Sequence, residues 1–198
     1  DKVKLGMRKD FNDKNFADFY VKKHRKLLEK LGYNYAQKLR NLGFSKGRVL
    51  DVGCGFGAMC TVLAGEISGS EVVGVDLSIP LLEYAHDKIA GQPIGSRVRF
   101  QRANVEKMPF DSNCFDVVFN VNMVHWVDDP VSMLNEMQRV LKPEGYLFIK
   151  DLRRSWLKVF EREIDKALTL EQAKKLIKES ELREGSFSSG ILWWNFEA

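Results

Sequence analysis

The sequence predicts an α/β fold: a doubly wound, seven-stranded sheet, mostly parallel, with an antiparallel hairpin at its C-terminal end. Three observations predict it. Short apolar segments rich in β-branched and aromatic residues alternate with helix-patterned segments between residues 48 and 151. Those apolar segments are nearly continuous rather than alternating, as strands covered on both faces require. The chain then ends in two β-rich segments on either side of Gly190, a tight-turn residue.

In chain order, Phe16, Phe19, Tyr20, Leu27, Leu28 and Leu31 recur at helical spacing, predicting an amphipathic helix over residues 15–31. A second helix is expected over 34–42, stopped by Gly43 and the Ser45-Lys46-Gly47 turn. Strands are expected at 48–52, 71–76, 98–102, 115–121 and 146–151, with helices over 59–64, 80–89 and 131–141 between them. Right-handed crossovers through such helices make the sheet doubly wound. Ser78 caps the second crossover helix, with Pro80 in its first turn, and Asp128 or Asp129 caps the third. Two more helices follow, over 156–167 and 170–179, the latter opened by a Thr169/Gln172 capping box. The hairpin takes 186–188 and 191–196.

A length of 198 residues with 44% hydrophobic content fits one domain. Residues 1–46 are then a helical N-terminal cap of the same domain whose core is 47–198. Cys54, Cys60 and Cys114 are odd in number and lack C-x-x-C spacing, which argues against a disulfide framework and a zinc site, so no metal is expected. Residues 1–10 are charged and no run of 18 apolar residues occurs, so the expectation is a cytoplasmic protein without a transmembrane segment. The net charge of +4 is uneven: residues 1–46 carry 13 Lys/Arg against 5 Asp/Glu, and residues 47–198 carry 18 against 22. Lys22, Lys23, Arg25, Lys26 and Lys30 either solvate a helix face or meet RNA or another anionic surface.

The chemistry concentrates in Val49-Leu50-Asp51-Val52-Gly53-Cys54-Gly55-Phe56-Gly57, an apolar strand that runs into a glycine turn and then a helix. Glycines permit positive φ and let backbone N–H groups approach a ligand closely, and the helix start offers unpaired N–H groups to an anion. Asp76 ends the next strand, 23 residues after Gly53, where a carboxylate accepts hydrogen bonds from both ribose hydroxyls. These features indicate a nucleoside ligand. Because Gly53-x-Gly55-x-x-Ala58 also satisfies the relaxed dinucleotide fingerprint, they leave dinucleotides and S-adenosylmethionine both open.

Residues 49–57, with Asp51 ahead of the glycines, resemble the first motif of class I methyltransferases. Asn104-Val105-Glu106-Lys107-Met108-Pro109-Phe110, Phe115-Asp116-Val117-Val118 and Arg139-Val140-Leu141-Lys142-Pro143-Glu144-Gly145-Tyr146 continue the resemblance in order and spacing. The match is to the ubiquinone/menaquinone-biosynthesis type (methyltransferase type 11) and covers residues 47–151. It implies a Rossmann-like methyltransferase fold with reversed final strands, S-adenosylmethionine as cofactor and S-adenosylhomocysteine as product. By the resemblance, Gly53, Gly55 and Gly57 line the methionine and ribose portion, Asp51 holds the methionyl amino end, and Asp76 holds the ribose. Leu77 packs on adenine, the Asn104–Val105 turn meets its edge, and Asn120 faces the methionine segment. The family usually has Asp where Asn104 stands; the amide keeps an acceptor for the adenine amino group without the charge.

Methyl transfer from a sulfonium is an in-line displacement with a good leaving group, so alignment and exclusion of water dominate. An oxygen or carbon acceptor also needs a general base, for which His125 is the leading candidate and Asp151 the second. His24 is a candidate substrate contact, and Phe16 and Tyr20 are either lid or core. The acceptor is expected to be a small molecule, although fold and cofactor do not name it. Two other classes remain open: a non-catalytic S-adenosylmethionine-binding partner or sensor, and an NAD-dependent oxidoreductase, against which the 104–110 and 139–146 matches argue.

Overall fold

The computed structural model describes residues 11–154 and 167–198, and the helix expected over 156–167 lies outside them apart from Ala167. The strands are β1 (Lys46–Val52), β2 (Gly69–Asp76), β3 (Val98–Arg102), β4 (Phe115–Val121), β5 (Leu141–Leu152), β6 (Ser186–Ser189) and β7 (Trp193–Glu197). They form one sheet in the order β3-β2-β1-β4-β5-β7-β6. β1 with β2, β2 with β3 and β4 with β5 pair in parallel, whereas β7 runs antiparallel to both β5 and β6. The predicted mostly parallel sheet with an antiparallel C-terminal hairpin is therefore the observed one. The α-helices among the described residues are α1 (Lys14–Asn41), α2 (Ala58–Glu66), α3 (Ile79–Ile89), α4 (Pro130–Val140) and α5 (Leu170–Glu179). The chain divides into two compact units, residues 1–104 and 105–198.

In the first unit, Asp13 caps α1 by accepting the Phe16 N–H at 2.9 Å. The two helices expected over 15–31 and 34–42 are one helix of 28 residues. Gly32, in the gap between the two expected helices, lies inside it because α1 packs on α2 there: a Cβ on Gly32 would stand 2.9 Å from Val62 Cβ. Glycine costs about 1 kcal/mol in a helix interior, and close helix packing offsets it. Gly43 (φ +82°) ends α1 as expected. The Gly43 and Phe44 N–H groups bond the Arg40 and Leu39 carbonyls at 3.0 and 2.9 Å, a left-handed C-terminal cap. Val49, Leu50 and Val52 of β1 and Val72 and Val75 of β2 are fully buried, which is why these strands read as unbroken apolar runs. Arg97 fastens the far end of α2 by donating to the carbonyls of Ala64, Ile67 and Ser70 at 2.8, 3.4 and 3.0 Å. Ser78 caps α3, receiving the Leu81 N–H at 3.3 Å, with Pro80 in the first turn.

In the second unit Phe115, Val117, Val118 and Phe119 of β4 are fully buried. Of the two cap candidates Asp129 is the one used on α4, through the Ser132 N–H at 3.1 Å. Near the end of α4, Arg139 bonds Glu136 at 2.6 Å and the Phe110 carbonyl at 2.7 Å, while Glu136 accepts the Met108 N–H at 2.6 Å. The 104–110 and 139–146 segments are thus joined by the backbone hydrogen bonds that Arg139 and its helix partner Glu136 make to Met108 and Phe110, which clamp a loop. β5 starts at Leu141 rather than at 146, directly after α4. Buried Leu141 pairs with Phe115, and an irregularity between Phe115 and Val117 absorbs the extra residues of the Pro143-Glu144-Gly145 stretch. The Thr169/Gln172 capping box of α5 is formed in both directions, at 3.2 and 2.9 Å. The terminal strands start and stop within two residues of expectation, with the Gly190 N–H bonded to the Trp193 carbonyl at 2.8 Å.

Candidate functional site

At the carboxyl end of β1 the chain turns through Gly53 (φ +79°), Gly55 (φ +52°) and Gly57 (φ +69°), a conformation that strains any residue with a Cβ. The Gly53 and Cys54 N–H groups both bond the Val75 carbonyl at 2.9 Å, holding the turn against β2. The glycines serve different needs. A Cβ on Gly57 would come within 2.4 Å of the Phe100 ring, whereas one on Gly55 would meet only Leu81 Cδ1 at 3.9 Å. Gly57 is demanded by packing, and Gly55 borders open space. Sequence reasoning missed Gly74, in the middle of β2, where a Cβ would lie 2.8 Å from the Cys54 side chain. Its signal was available, since an isolated glycine in a strand often marks a close approach.

Two acids flank this turn. Asp76 accepts the Gly55 N–H on Oδ2 at 2.8 Å and the Ser78 N–H on Oδ1 at 2.9 Å, so it ties the glycine turn to the start of α3. Burial raises its pKa, and the N–H groups of Ser78, Gly55 and Leu77 oppose the rise. Asp51 is buried beneath the turn and accepts a hydrogen bond from the Cys60 thiol at 3.4 Å. Burial pushes its carboxyl up to about 7, the thiol works against this and nearby Asp76 reinforces it. Among the described residues no cation pairs with Asp51, and a buried carboxyl in that state fits a ligand ammonium group. Burial pushes the Cys54 thiol up to about 11 and the Cys60 thiol well above its ordinary value, leaving both as neutral packing residues.

Of the remaining predicted residues of the first unit, Leu77 and Asn104 follow the ends of β2 and β3, whereas Phe16, Tyr20 and His24 lie on α1. Leu77 is half-buried and its carbonyl receives Arg102 Nε at 3.3 Å. Asn104 is exposed, next to Ala103, whose N–H bonds the Asp76 carbonyl at 3.1 Å. Tyr20 belongs to the core, packed with Phe56, Ala58 and Leu81, and His24 lies 4.4 Å from it, ring centre to ring centre. Phe16 is half-buried and meets Phe11 edge to face.

In the second unit Val105 is buried, and buried Asn120 directs its Nδ2 at Met133 Sδ, 3.6 Å away. The two base candidates, read separately from the sequence, form a pair. His125 Nδ1 lies 2.6 Å from Asp151 Oδ1, and the His125 backbone N–H bonds Asp151 Oδ2 at 3.0 Å. Both side chains are buried, and His125 Nε2 has no hydrogen-bond partner. In the neutral ring with Nδ1 donating to Asp151, Nε2 is an acceptor. Parallel β4 and β5 bring the two together, with Val121 opposite Lys150, a pairing that spacing along the chain does not reveal.

The doubly wound sheet with its reversed last strand and a glycine turn set between two strand-end acids define a class I methyltransferase domain of the S-adenosylmethionine-dependent type. The chain belongs to the methyltransferase domain family, whose model matches residues 50–149. It is 34% identical over 134 residues to a ubiquinone biosynthesis O-methyltransferase of Haemophilus ducreyi, covering 65% of this chain and 55% of that protein. It is 38% identical over 104 residues to a demethylmenaquinone methyltransferase of Lactiplantibacillus plantarum, covering 52% and 44%. The chain spans about half the length of the curated relatives it matches. In fold it resembles a Methanococcus maripaludis protein assigned as an S-adenosyl-L-methionine-dependent methyltransferase, with TM-score 0.75 and 20% identity over 93% of this chain and 92% of that one.

Proposed function

We propose that this chain binds S-adenosylmethionine and transfers its methyl group to a small-molecule acceptor by in-line displacement. The observation that carries the reading is the hydrogen bond from the Gly55 N–H to Asp76, which puts a carboxylate at the lip of a positive-φ glycine turn with the buried acid Asp51 beneath it. S-adenosylmethionine supplies an electrophilic methyl group and a neutral thioether leaving group. The chain's own residues orient and shield. Asp51 takes the methionyl ammonium, Asp76 uses its remaining lone pairs for the ribose hydroxyls, and Gly53, Gly55 and Gly57 admit the ligand backbone closely. Leu77 covers adenine, Asn104 and Val105 read its edge, and Asn120 faces the methionine segment. Holding donor and acceptor in near-attack geometry contributes on the order of 7–11 kcal/mol in favourable cases.

Where the acceptor is a hydroxyl or an acidic carbon, His125 Nε2 takes the proton and Asp151 orients the ring. Residues 1–46 act as a cap belonging to the same domain as residues 47–198, a reading supported by the packing of Ala17, Tyr20 and Val21 with Phe56, Ala58 and Leu81. No helix among the described residues is long and apolar enough to cross a membrane. That Cys54, Cys60 and Cys114 form no disulfide supports a cytoplasmic site of action, which recovery of the protein from a secreted fraction would refute.

Calorimetric titration with S-adenosylmethionine, S-adenosylhomocysteine and NAD tests the cofactor. Saturable binding of the two adenosyl sulfur ligands without NAD binding is expected, and the reverse selectivity overturns the proposal.

A further inference from the structure

Among the described residues, the solvent side of α1 has an unusual composition. Lys22, Lys23, Lys26 and Lys30 are exposed together with Phe19, Leu27 and Tyr33, the three hydrophobic side chains being 60%, 39% and 54% accessible. At about 100° per residue these seven fall within roughly 140° of the helix circumference, and no carboxylate lies in that arc. The flanking acids are engaged toward α3, Asp18 with the Tyr84 hydroxyl and Glu29 with Lys88 at 2.8 Å. The opposite side of α1, including Ala17, Tyr20, Val21, Tyr35, Ala36 and Leu39, is buried. The core thus holds the helix with this face outward, and from Phe19 to Tyr33 the stripe is about 21 Å long.

We propose that this face of α1 docks on a membrane surface of anionic phospholipids. The inference does not depend on the cofactor reading. Lysines on flexible stems reach lipid phosphates while their methylenes lie along apolar neighbours, as Lys23 Nζ does 5.9 Å over the Phe19 ring. Phe19, Leu27 and Tyr33 then enter the boundary between headgroups and acyl chains, where aromatic and aliphatic side chains are favoured. The chemistry favours lipid over RNA. Leu27 offers no flat face for base stacking, and the arginine nearest the arc's edge toward the C-terminus, Arg40, is bonded to Glu66 at 3.0 Å rather than presented as a fork for nucleic-acid phosphates.

The test is co-sedimentation of the full chain with phosphatidylcholine vesicles, with mixed phosphatidylcholine/phosphatidylglycerol vesicles, and with the mixed vesicles in competition with a mixed-sequence RNA oligonucleotide. Retention on the mixed vesicles is expected to exceed that on phosphatidylcholine at least tenfold and to weaken with salt. K22E/K26E lowers it tenfold or more, and F19S/L27S removes the portion that survives salt. All four positions are exposed, and unchanged circular dichroism melts establish that the variants fold. Lack of retention, equal retention on both vesicles, retention untouched by either variant, or displacement from the vesicles by RNA overturns the proposal.

Discussion

At the scale of single residues, Asp51 makes the most definite demand on pH. Its carboxyl stands at about 7 instead of 3.8 because burial disfavours the charge. An acid whose folded pKa exceeds its unfolded value keeps a proton that the unfolded chain has already released. Stability of the ligand-free protein therefore falls as pH rises from the ordinary carboxylate range through about 7, by at most ~4 kcal/mol, and then levels off. Asp51→Asn removes that dependence. In urea unfolding between about pH 5 and about pH 8, the wild type should lose markedly more stability than Asp51→Asn, and parallel profiles would show that the buried carboxyl is not the cause. An ammonium ligand held as proposed works against this trend, because it binds the ionised form and so binds more tightly as pH rises. His125 is the proposed base, with Asp151 against its Nδ1. With an acceptor found by screening, His125→Ala should lower kcat by roughly 10²–10⁴ while S-adenosylmethionine affinity stays unchanged, and wild-type turnover would remove the base role. Both residues could be named from the sequence, Asp51 through a resemblance and His125 through its place after a strand. Their partners Cys60 and Asp151 became evident only when α2 folded back on β1 and when β5 paired with β4.

At the scale of elements, caps and turns follow from local chemistry and were legible. Ser78, Thr169 with Gln172, and Gly43 all act where short-range rules put them, because each uses backbone groups within a few residues of itself. Gly32 shows where that logic ends. It falls in the gap between the two helices expected over 15–31 and 34–42, yet the neighbouring α2 makes it a contact point of one long helix. Gly32→Ala improves intrinsic propensity by about 1 kcal/mol but drives a methyl group against Val62. The net effect should be destabilising by about 1 kcal/mol in urea unfolding. Combining it with Val62→Ala should give a favourable coupling of at least ~0.5 kcal/mol, and strictly additive effects would show that the two helices are not in close contact there.

At the scale of the whole molecule, the charge difference between residues 1–46 and 47–198 was visible by counting, but its disposition was not. Folding separates the positive residues of α1 from the carboxylates of the same helix by turning Asp18 and Glu29 toward Tyr84 and Lys88. The ion pair of Glu136 and Arg139 carries a similar lesson. Two stretches that look like independent sequence signatures are one structural clamp, formed because Arg139 reaches the backbone carbonyls of Met108 and Phe110.

The sequence by itself determined the α/β class, the succession of strands and helices, the helix caps, and the glycine turn between two acids. These depend on periodicity and on interactions among near neighbours, which a linear chain records directly. Only the tertiary structure decided the continuity of α1, the early start of β5, the joining of His125 to Asp151, and the raised pKa of Asp51. Each of these rests on contacts between residues distant in the chain or on the desolvation that packing imposes, and neither quantity exists before the strands pair and the helices cover them.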